Sequence, residues 1–513
     1  MQLDFVKKLL SRGGDSSGED SANSQRNGKQ ALRVLDEKIV YFVLLVFSLS
    51  TGEISPSELL RTAGSAGYGF YSSTVMNVYI LGIKWRYGLS NSCERIALGL
   101  KTSEFKTFIL KTGQVFRLGD DLKTFFKGEL HSIMQYYSAS YERSMESLKL
   151  MLGMYSTLMS TSAFMVAAIV ILNMLGTGGG QEMVVLSIGS LTGVLAVFGL
   201  IMHLMYPKDR LLHKSRQGPD HLAKFKKTLY VALAIGTSLG GLLIYTSAIP
   251  TELAISASAA PLLLPGMAAK KVESRIRKMD DVYASFLRHF GEVYSTVGSM
   301  SQTLRTVLRS DFGILGNYVE AMLNRILNRT SVEESFDLFS KETGSVLITD
   351  GNTIMVKSIV KGCDMALVGE TLATVNNKFL ELRKKRLQAS SAFESTALIL
   401  HVLTLAVFGL MNKLIEFFSA IFGQLQGNMS IILIQPIDPG LMTLMIPVMT
   451  LTLSAINALM VKISQGGLYE TVWFNIAIMM IIGGVVVYGV DLFLSQMFDE
   501  LLQNDILDIA GGG

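Results

Sequence analysis

The chain alternates between two hydrophobic patterns: helical stripes in otherwise polar stretches, and long unbroken apolar runs. The polar stretch 279–386 shows the first most clearly. Phe286, Phe290, Val293, Val297, Met300, Leu304 and Val307 recur at intervals of four and three, which aligns them along one face of an α-helix. Arg288, Glu292, Gln302 and Arg305 fall off that stripe. A second helix, with Tyr318, Met322 and Ile326 along one side, runs to Asn328. Thr330 and Ser331 then precede Glu333 and Glu334, and either hydroxyl with the acid three residues later makes a capping box that opens a third helix. No alternation of polar and apolar residues competes, so the stretch is predicted to be an all-helical bundle.

The second pattern predicts seven membrane spans, at 153–175, 183–206, 228–248, 253–269, 394–412, 441–461 and 472–495. The fourth is short and carries Pro261 and Pro265, so it is expected to be kinked or re-entrant. Residues 39–49 are also apolar, but eleven residues fall short of the roughly 20 that cross a bilayer. They are assigned to a first helical bundle, with an interfacial helix as the alternative.

That first bundle, 35–137, repeats the later one in outline. Ser50-Thr51-Gly52-Glu53-Ile54-Ser55 and Thr296-Val297-Gly298-Ser299-Met300-Ser301 share glycine, an apolar residue and serine in register. Tyr68-Gly69 and Phe312-Gly313 follow. Asn91-Ser92-Cys93-Glu94 then answers Thr330-Ser331-Val332-Glu333 as a helix start, and Gly119-Asp120-Asp121-Leu122 answers Gly369-Glu370-Thr371-Leu372. Ser55-Pro56-Ser57-Glu58 adds a capping serine, a proline at the first helical position and the reciprocal acid. The order is preserved throughout, which suggests duplication; the alternative is chance recurrence of common cap and turn residues.

Charge fixes the topology. Lys208, Arg210, Lys214, Arg216, Lys224, Lys226 and Lys227 lie between spans two and three, Lys270, Lys271, Arg275, Arg277 and Lys278 follow span four, and Arg383-Lys384-Lys385-Arg386 precedes span five. With seven spans all three clusters share the cytosolic side, as short basic loops require. The fold class is therefore all-α: a polytopic membrane protein with two repeated cytosolic helical-bundle domains and about seven transmembrane helices. The parts are a disordered cytosolic tail at 1–34, a first helical domain at 35–150, spans one to four at 151–269 with a basic loop at 207–227, a second helical domain at 270–393, spans five to seven at 394–497, and an external acidic tail at 498–513. A hydrophobic content of 49% and a charged content of 17% agree with a membrane protein. The net charge of +4 is too small to suggest nucleic acid as a partner.

Candidate chemistry is sparse. Gly176-Thr177-Gly178-Gly179-Gly180 lacks the Lys-Ser/Thr of a phosphate-binding loop, and Gly64, Gly67 and Gly69 lack dinucleotide spacing. Cys93 and Cys363 sit singly, without the pairing that zinc or a redox dithiol needs, and the six histidines form no ligand cluster. Asp491 in the last span is read as a solitary aspartate near the outer interface, with no second carboxylate to make a protease. No catalytic residue, cofactor or metal is predicted. Gly189 and Gly193, and Gly236 and Gly240, lie four apart inside spans and allow close helix packing, within the chain or in a homodimer.

Two helical units, each with a Gly-x-apolar-Ser element, a later Asn/Thr-Ser-x-Glu and a Gly-acid-x-Leu turn, each followed by spans, resemble the type II secretion system F domain family. The extra hydrophobic hairpins between the copies are similar to its archaeal branch, which serves archaella and adhesion pili. The matching positions are Gly52, Ser55, Glu94 and Gly119 in the first copy, and Gly298, Ser301, Glu333 and Gly369 in the second; the interval from Glu333 to Gly369 is longer than that from Glu94 to Gly119. The resemblance implies a multi-pass cell-membrane platform with a cytoplasmic N-terminus, beneath a type IV pilus-like filament. It also implies two partners, a cytosolic hexameric secretion ATPase and pilin-like or archaellin-like subunits. Lys208, Arg210, Lys214 and Arg216, with Arg383, Lys384, Lys385 and Arg386, are the expected ATPase contacts. The alternative for these charges is that they set topology and bind anionic headgroups. The rival functions are a solute transporter and a membrane enzyme.

Overall fold

The computed structural model describes residues 36–101, 103–174, 181–205, 210–212, 223–246, 249–425 and 439–510. The predicted tail at 1–34 and the glycine stretch at 176–180 lie outside them. Among the described residues the regular elements are helices, and Leu212 and Ser345 make an isolated antiparallel bridge. The chain is an all-α, multi-pass membrane protein: among the described residues seven helices are long and apolar enough to cross a bilayer.

The described residues fall into two compact units. One draws on Met1–Arg143, Leu211–Pro219 and Ile276–Leu382, the other on Ser144–Arg210, Asp220–Arg275 and Arg383–Gly513. The first unit holds two sets of helices in one order. Set one is α1 (Glu37–Ser50), α2 (Pro56–Gly64), α3 (Phe70–Tyr79), α4 (Leu89–Leu98), α5 (Glu104–Leu118) and the start of α6 (Leu122–Met174). In the second unit follow α7 (Gln181–Met205), α8 (Ala223–Tyr245) and α9 (Thr251–Ala259). Set two is the end of α10 (Leu263–Val297), then α11 (Met300–Val307), α12 (Ile314–Leu327), α13 (Val332–Thr343), α14 (Val346–Val360) and the start of α15 (Met365–Leu425). The last two helices are α16 (Pro439–Gln465) and α17 (Val472–Ala510).

The backbone repeats more closely than the residue types do. Gly69 (φ 59°, ψ −124°) opens α3 and Gly313 (φ 54°, ψ −130°) opens α12, both in a region a Cβ would forbid. Arg86 and Arg329 hold left-handed φ of 54° and 65° before α4 and α13. Gly119 (φ 73°) and Gly362 (φ 65°) follow α5 and α14. Asp121 and Asp364 then accept the first amides of the two long helices, from Thr124 at 3.0 Å and Leu367 at 3.2 Å. The interval from Leu89 to Gly119 equals that from Val332 to Gly362.

This sets the repeat in a different register from that of the motif matches. Gly119 answers Gly362, because Gly369 is inside α15; Ser55 answers Ser299, because both are N-caps whereas Ser301 lies within α11. Asn91-Ser92-Cys93-Glu94 is no helix start: α4 begins after Gly88, and Ser92 turns its hydroxyl back to the Gly88 carbonyl at 2.6 Å. The stripe from Phe286 to Val307 is also not one helix. Gly298 (φ 67°) ends α10, and Val297 beside it is 39% exposed. Ser331, rather than Thr330, caps α13 by accepting the Glu334 N–H at 3.2 Å.

The core of the first unit is aromatic. Phe42 meets Tyr68, Tyr71 and Phe105, and Phe286 meets Phe290, Phe312 and Phe339. The interval from Phe42 to Tyr68 equals that from Phe286 to Phe312, and both pairs meet edge-on, at 6.3 and 5.8 Å. Val40 to Leu49 are buried without exception, so α1 is a core helix rather than an interfacial one. Each such side chain contributes about 1.5–3 kcal/mol by leaving water.

In the membrane unit the fourth span is broken where its sequence suggested. α9 gives way to a 3-10 turn at Ala260–Leu262 around Pro261, which has no amide hydrogen, and α10 resumes with Pro265 in its first turn. Gly236 and Gly240 bring α8 onto α9: Cβ atoms there would stand 2.5 Å from the Ser258 carbonyl oxygen and 2.9 Å from the Ser258 Cβ. Gly189 and Gly193 face nothing within 4 Å.

Candidate functional site

The first unit's two copies meet along a polar seam. Tyr41 donates to Asn376 Oδ1 at 2.8 Å, and its ring lies 5.2 Å from Phe379. Thr51 Oγ1 accepts the Asp364 amide at 3.2 Å. Gly52 faces Cys363 so closely that a Cβ would stand 3.1 Å from its Sγ. Lys361 pairs with Glu58, and its hydrogen bond and charge hold the Glu58 carboxyl below the usual range.

The remaining motif positions are spread over the fold. Ser55 caps α2, accepting the Glu58 amide at 3.3 Å, and Glu94 is exposed on α4, 3.3 Å from Arg117. Gly298 and Gly119 end α10 and α5 in left-handed geometry, while Glu333 is exposed in the first turn of α13. Ser301 lies in α11, its hydroxyl 3.5 Å from that of Ser299. Gly369 and Gly291 let α15 and α10 cross at backbone contact; a Cβ on Gly369 would stand 2.5 Å from the Leu287 carbonyl oxygen.

Of the basic residues expected to face a partner, Lys208, Lys214 and Arg216 lie outside the described residues, and Arg210 is exposed. The cluster on α15 divides. Helical periodicity sets Arg383 and Arg386 on one side and Lys384 and Lys385 on the other, so the two arginines are buried and the two lysines exposed. Arg386 is therefore structural rather than available to a partner. Its Nε and an Nη donate at 2.9 Å to the carbonyl oxygens of Ser464 and Ile463, the free end of α16, where a cation also meets the negative pole of the helix.

Around that helix end the membrane unit builds a polar clamp. Ser390 and Ser464 hydroxyls lie 2.7 Å apart, and Gln465 donates to Glu394 at 2.8 Å. Buried Lys462 pairs with Glu273 of α10 at 3.0 Å, and the same Glu273 oxygen accepts the Leu468 amide at 3.3 Å. Gly466 and Gly467, at φ 67° and 78°, make the turn into α17. The clamp fastens α10, α15 and α16 together through a buried ion pair and hydrogen bonds to backbone groups.

A second network is buried deeper, among apolar spans. Tyr155 of α6 donates to Asn457 Oδ1 at 2.5 Å, and the Asn457 amide lies 3.1 Å from His401 Nδ1. His401 Nε2 faces the Met479 carbonyl oxygen at 3.1 Å and Ser454 Oγ at 3.4 Å. With Nε2 as the donor to Met479, Nδ1 accepts from the Asn457 amide and the Asn457 oxygen accepts from Tyr155, so these three hydrogen bonds each have a matched donor and acceptor. Taken one at a time these residues carry no motif; the signal is the set of polar residues at helical spacing on the buried faces of α15 and α16, among them His401, Ser454 and Asn457. Asp491 is likewise not solitary: Lys413 reaches it at 2.9 Å and Glu416 at 2.8 Å.

Among the described residues no group of three His, Cys, Asp or Glu side chains could hold a metal. Cys93 and Cys363 are free and buried, and burial pushes their thiols up to about 12 and about 11. Neither is a ready nucleophile at neutral pH.

No family model and no solved structure matches the chain. Curated relatives do. The chain is 23% identical over 480 residues to Flagella accessory protein J of Methanocaldococcus jannaschii, covering 90% of this chain and 85% of that protein. It is 23% identical over 469 residues to Flagella accessory protein J of Methanococcus voltae, covering 88% and 84%. By descent, then, the chain is distantly similar along most of its length to archaeal flagella accessory proteins.

Proposed function

We propose that this protein is the membrane platform of a type IV pilus-like filament assembly machine, an archaellum or an adhesion pilus. Both helical copies face the cytosol, as does the N-terminus. A cytosolic hexameric secretion ATPase acts on them and drives insertion of pilin-like subunits from the bilayer. The observation that carries this reading is a pair of matching helical sets and seven candidate spans, in a chain similar along most of its length to Flagella accessory protein J. The basic residues that flank the spans support the cytosolic placement. The residues offered to the ATPase are the exposed Lys384, Lys385 and Arg210, together with Lys208, Lys214 and Arg216, which lie outside the described residues.

The test is a charge reversal. Lys384→Glu with Lys385→Glu, and separately Lys208→Glu with Arg210→Glu, should abolish filaments and co-purification of the ATPase while membrane insertion is kept. Undiminished capture of the ATPase by both variants would remove these residues as its docking surface. A solute transporter, by contrast, would move solute across liposomes without any ATPase.

A further inference from the structure

Three helices of the membrane unit come together beside the basic residues of α8 and α10. A Cβ on Gly266 would stand 2.6 Å from the Phe474 backbone, so α10 lies directly on the start of α17. One turn further along α10, Lys270 holds its Nζ 4.4 Å from the centre of the Phe474 ring. The third wall is α8. Gly236 and Gly240 meet Ser258, whereas Leu229 and Leu233, like Leu263 and Trp473, pack against the buried cluster of Ala232, Leu262 and Ala477. Residue numbers fall along α8 as they rise along its neighbour, so the next turn, with Lys226 and Lys227, stands level with Lys270 and Lys271.

All four lysines are exposed. Among the described residues no carboxylate lies within ion-pair distance of any of them; Glu273, three residues from Lys270, is held by Lys462. Glu470, in the 3-10 turn just before α17, is the acid nearest in sequence to Trp473 and Phe474. Next to the cations the surface turns apolar at once: Tyr230 is 72%, Val231 58% and Leu264 68% exposed. A cationic cup above exposed hydrocarbon-facing side chains suits an amphiphile with an anionic head, rather than an acidic soluble protein.

We propose that Lys226, Lys227, Lys270 and Lys271, with Trp473 and Phe474, form a binding site for the phosphate headgroup of an anionic phospholipid. Phe474 keeps Lys270 turned into the cup, and the lipid's chains lie along α8 and α10.

Native mass spectrometry of the purified full chain in detergent tests this, with phosphatidylglycerol and phosphatidylcholine as probes. Phosphatidylglycerol should be retained in preference. Lys227→Gln with Lys270→Gln should weaken its retention by about thirtyfold, since each lysine near a membrane surface contributes about 1 kcal/mol. Lys123→Gln with Lys127→Gln, which removes the same charge from α6, should leave retention unchanged. Lys270→Arg keeps a cation over the ring and should retain the lipid, which separates loss of the site from loss of the fold. Excess inorganic phosphate should leave the lipid bound. Equal retention of the two lipids, equal loss in both double variants, or displacement by free phosphate would overturn the assignment.

Discussion

Lys361 of the second helical copy forms an ion pair with Glu58 of the first, at the helix that Ser55 caps. The pairing gives the seam an acid limb. Because Lys361 lowers the Glu58 carboxyl, its contribution to stability is present above the ordinary glutamate value and lost as pH falls through the lowered one. Glu58→Gln should therefore lower the melting temperature at neutral pH, and the gap to wild type should close as the solution is acidified below the glutamate range. Melting curves of the detergent-solubilised protein across that range check it; a gap that widens in acid would contradict the pairing.

The crossing of α10 and α15 depends on having no side chain. Gly369→Ala places a methyl group against the Leu287 carbonyl, and overpacking of this kind costs about 1–3 kcal/mol. Gly128→Ala, in a helix with nothing within 4 Å, should be neutral or stabilise by up to ~1 kcal/mol. Thermal unfolding of the two variants should separate them clearly.

Lys462 and Glu273 are expected to behave as a unit. Lys462→Met leaves a carboxylate buried without its cation and should cost about 3–5 kcal/mol. Changing both residues to methionine should recover much of that loss. A double-mutant cycle read by thermal unfolding measures the coupling, and simple additivity would show that the clamp is not cooperative.

The buried chain from Tyr155 to Met479 should respond more gently. Asn457→Leu removes the link between Tyr155 and His401 and is expected to cost about 1–2 kcal/mol, because hydrogen bonds between spans contribute modestly. Tyr155→Phe should then add little on the Asn457→Leu background, which unfolding of the single and double variants would show.

How much of this was legible in the sequence depended on whether a residue type has one physical use or several. Periodicity found the helical class and the seven spans, and Pro261 marked the break in the fourth, because apolar spacing and a missing amide each have one consequence. Glycine has two. Gly362 ends a helix in left-handed geometry and Gly369 admits a neighbouring backbone, and matching by residue type took the second for the counterpart of Gly119. Phe47 and Phe126 are buried in the first copy's α1 and α6, so that copy offered no glycine to expose the error. Arg386 reads as surface charge until a neighbouring helix end is known to need it, and His401 reads as isolated until two other helices bring it partners.

The account rests on both helical copies lying on the cytosolic side of the membrane, and accessibility labelling tests that most directly. Asn91→Cys on α4 and Glu334→Cys on α13 are exposed, equivalent positions, and the two native cysteines are buried. In intact cells a membrane-impermeant maleimide should reach neither site, and in inverted membrane vesicles it should reach both. Labelling of one site in cells and of the other only in vesicles would set the copies on opposite faces of the bilayer and contradict the account.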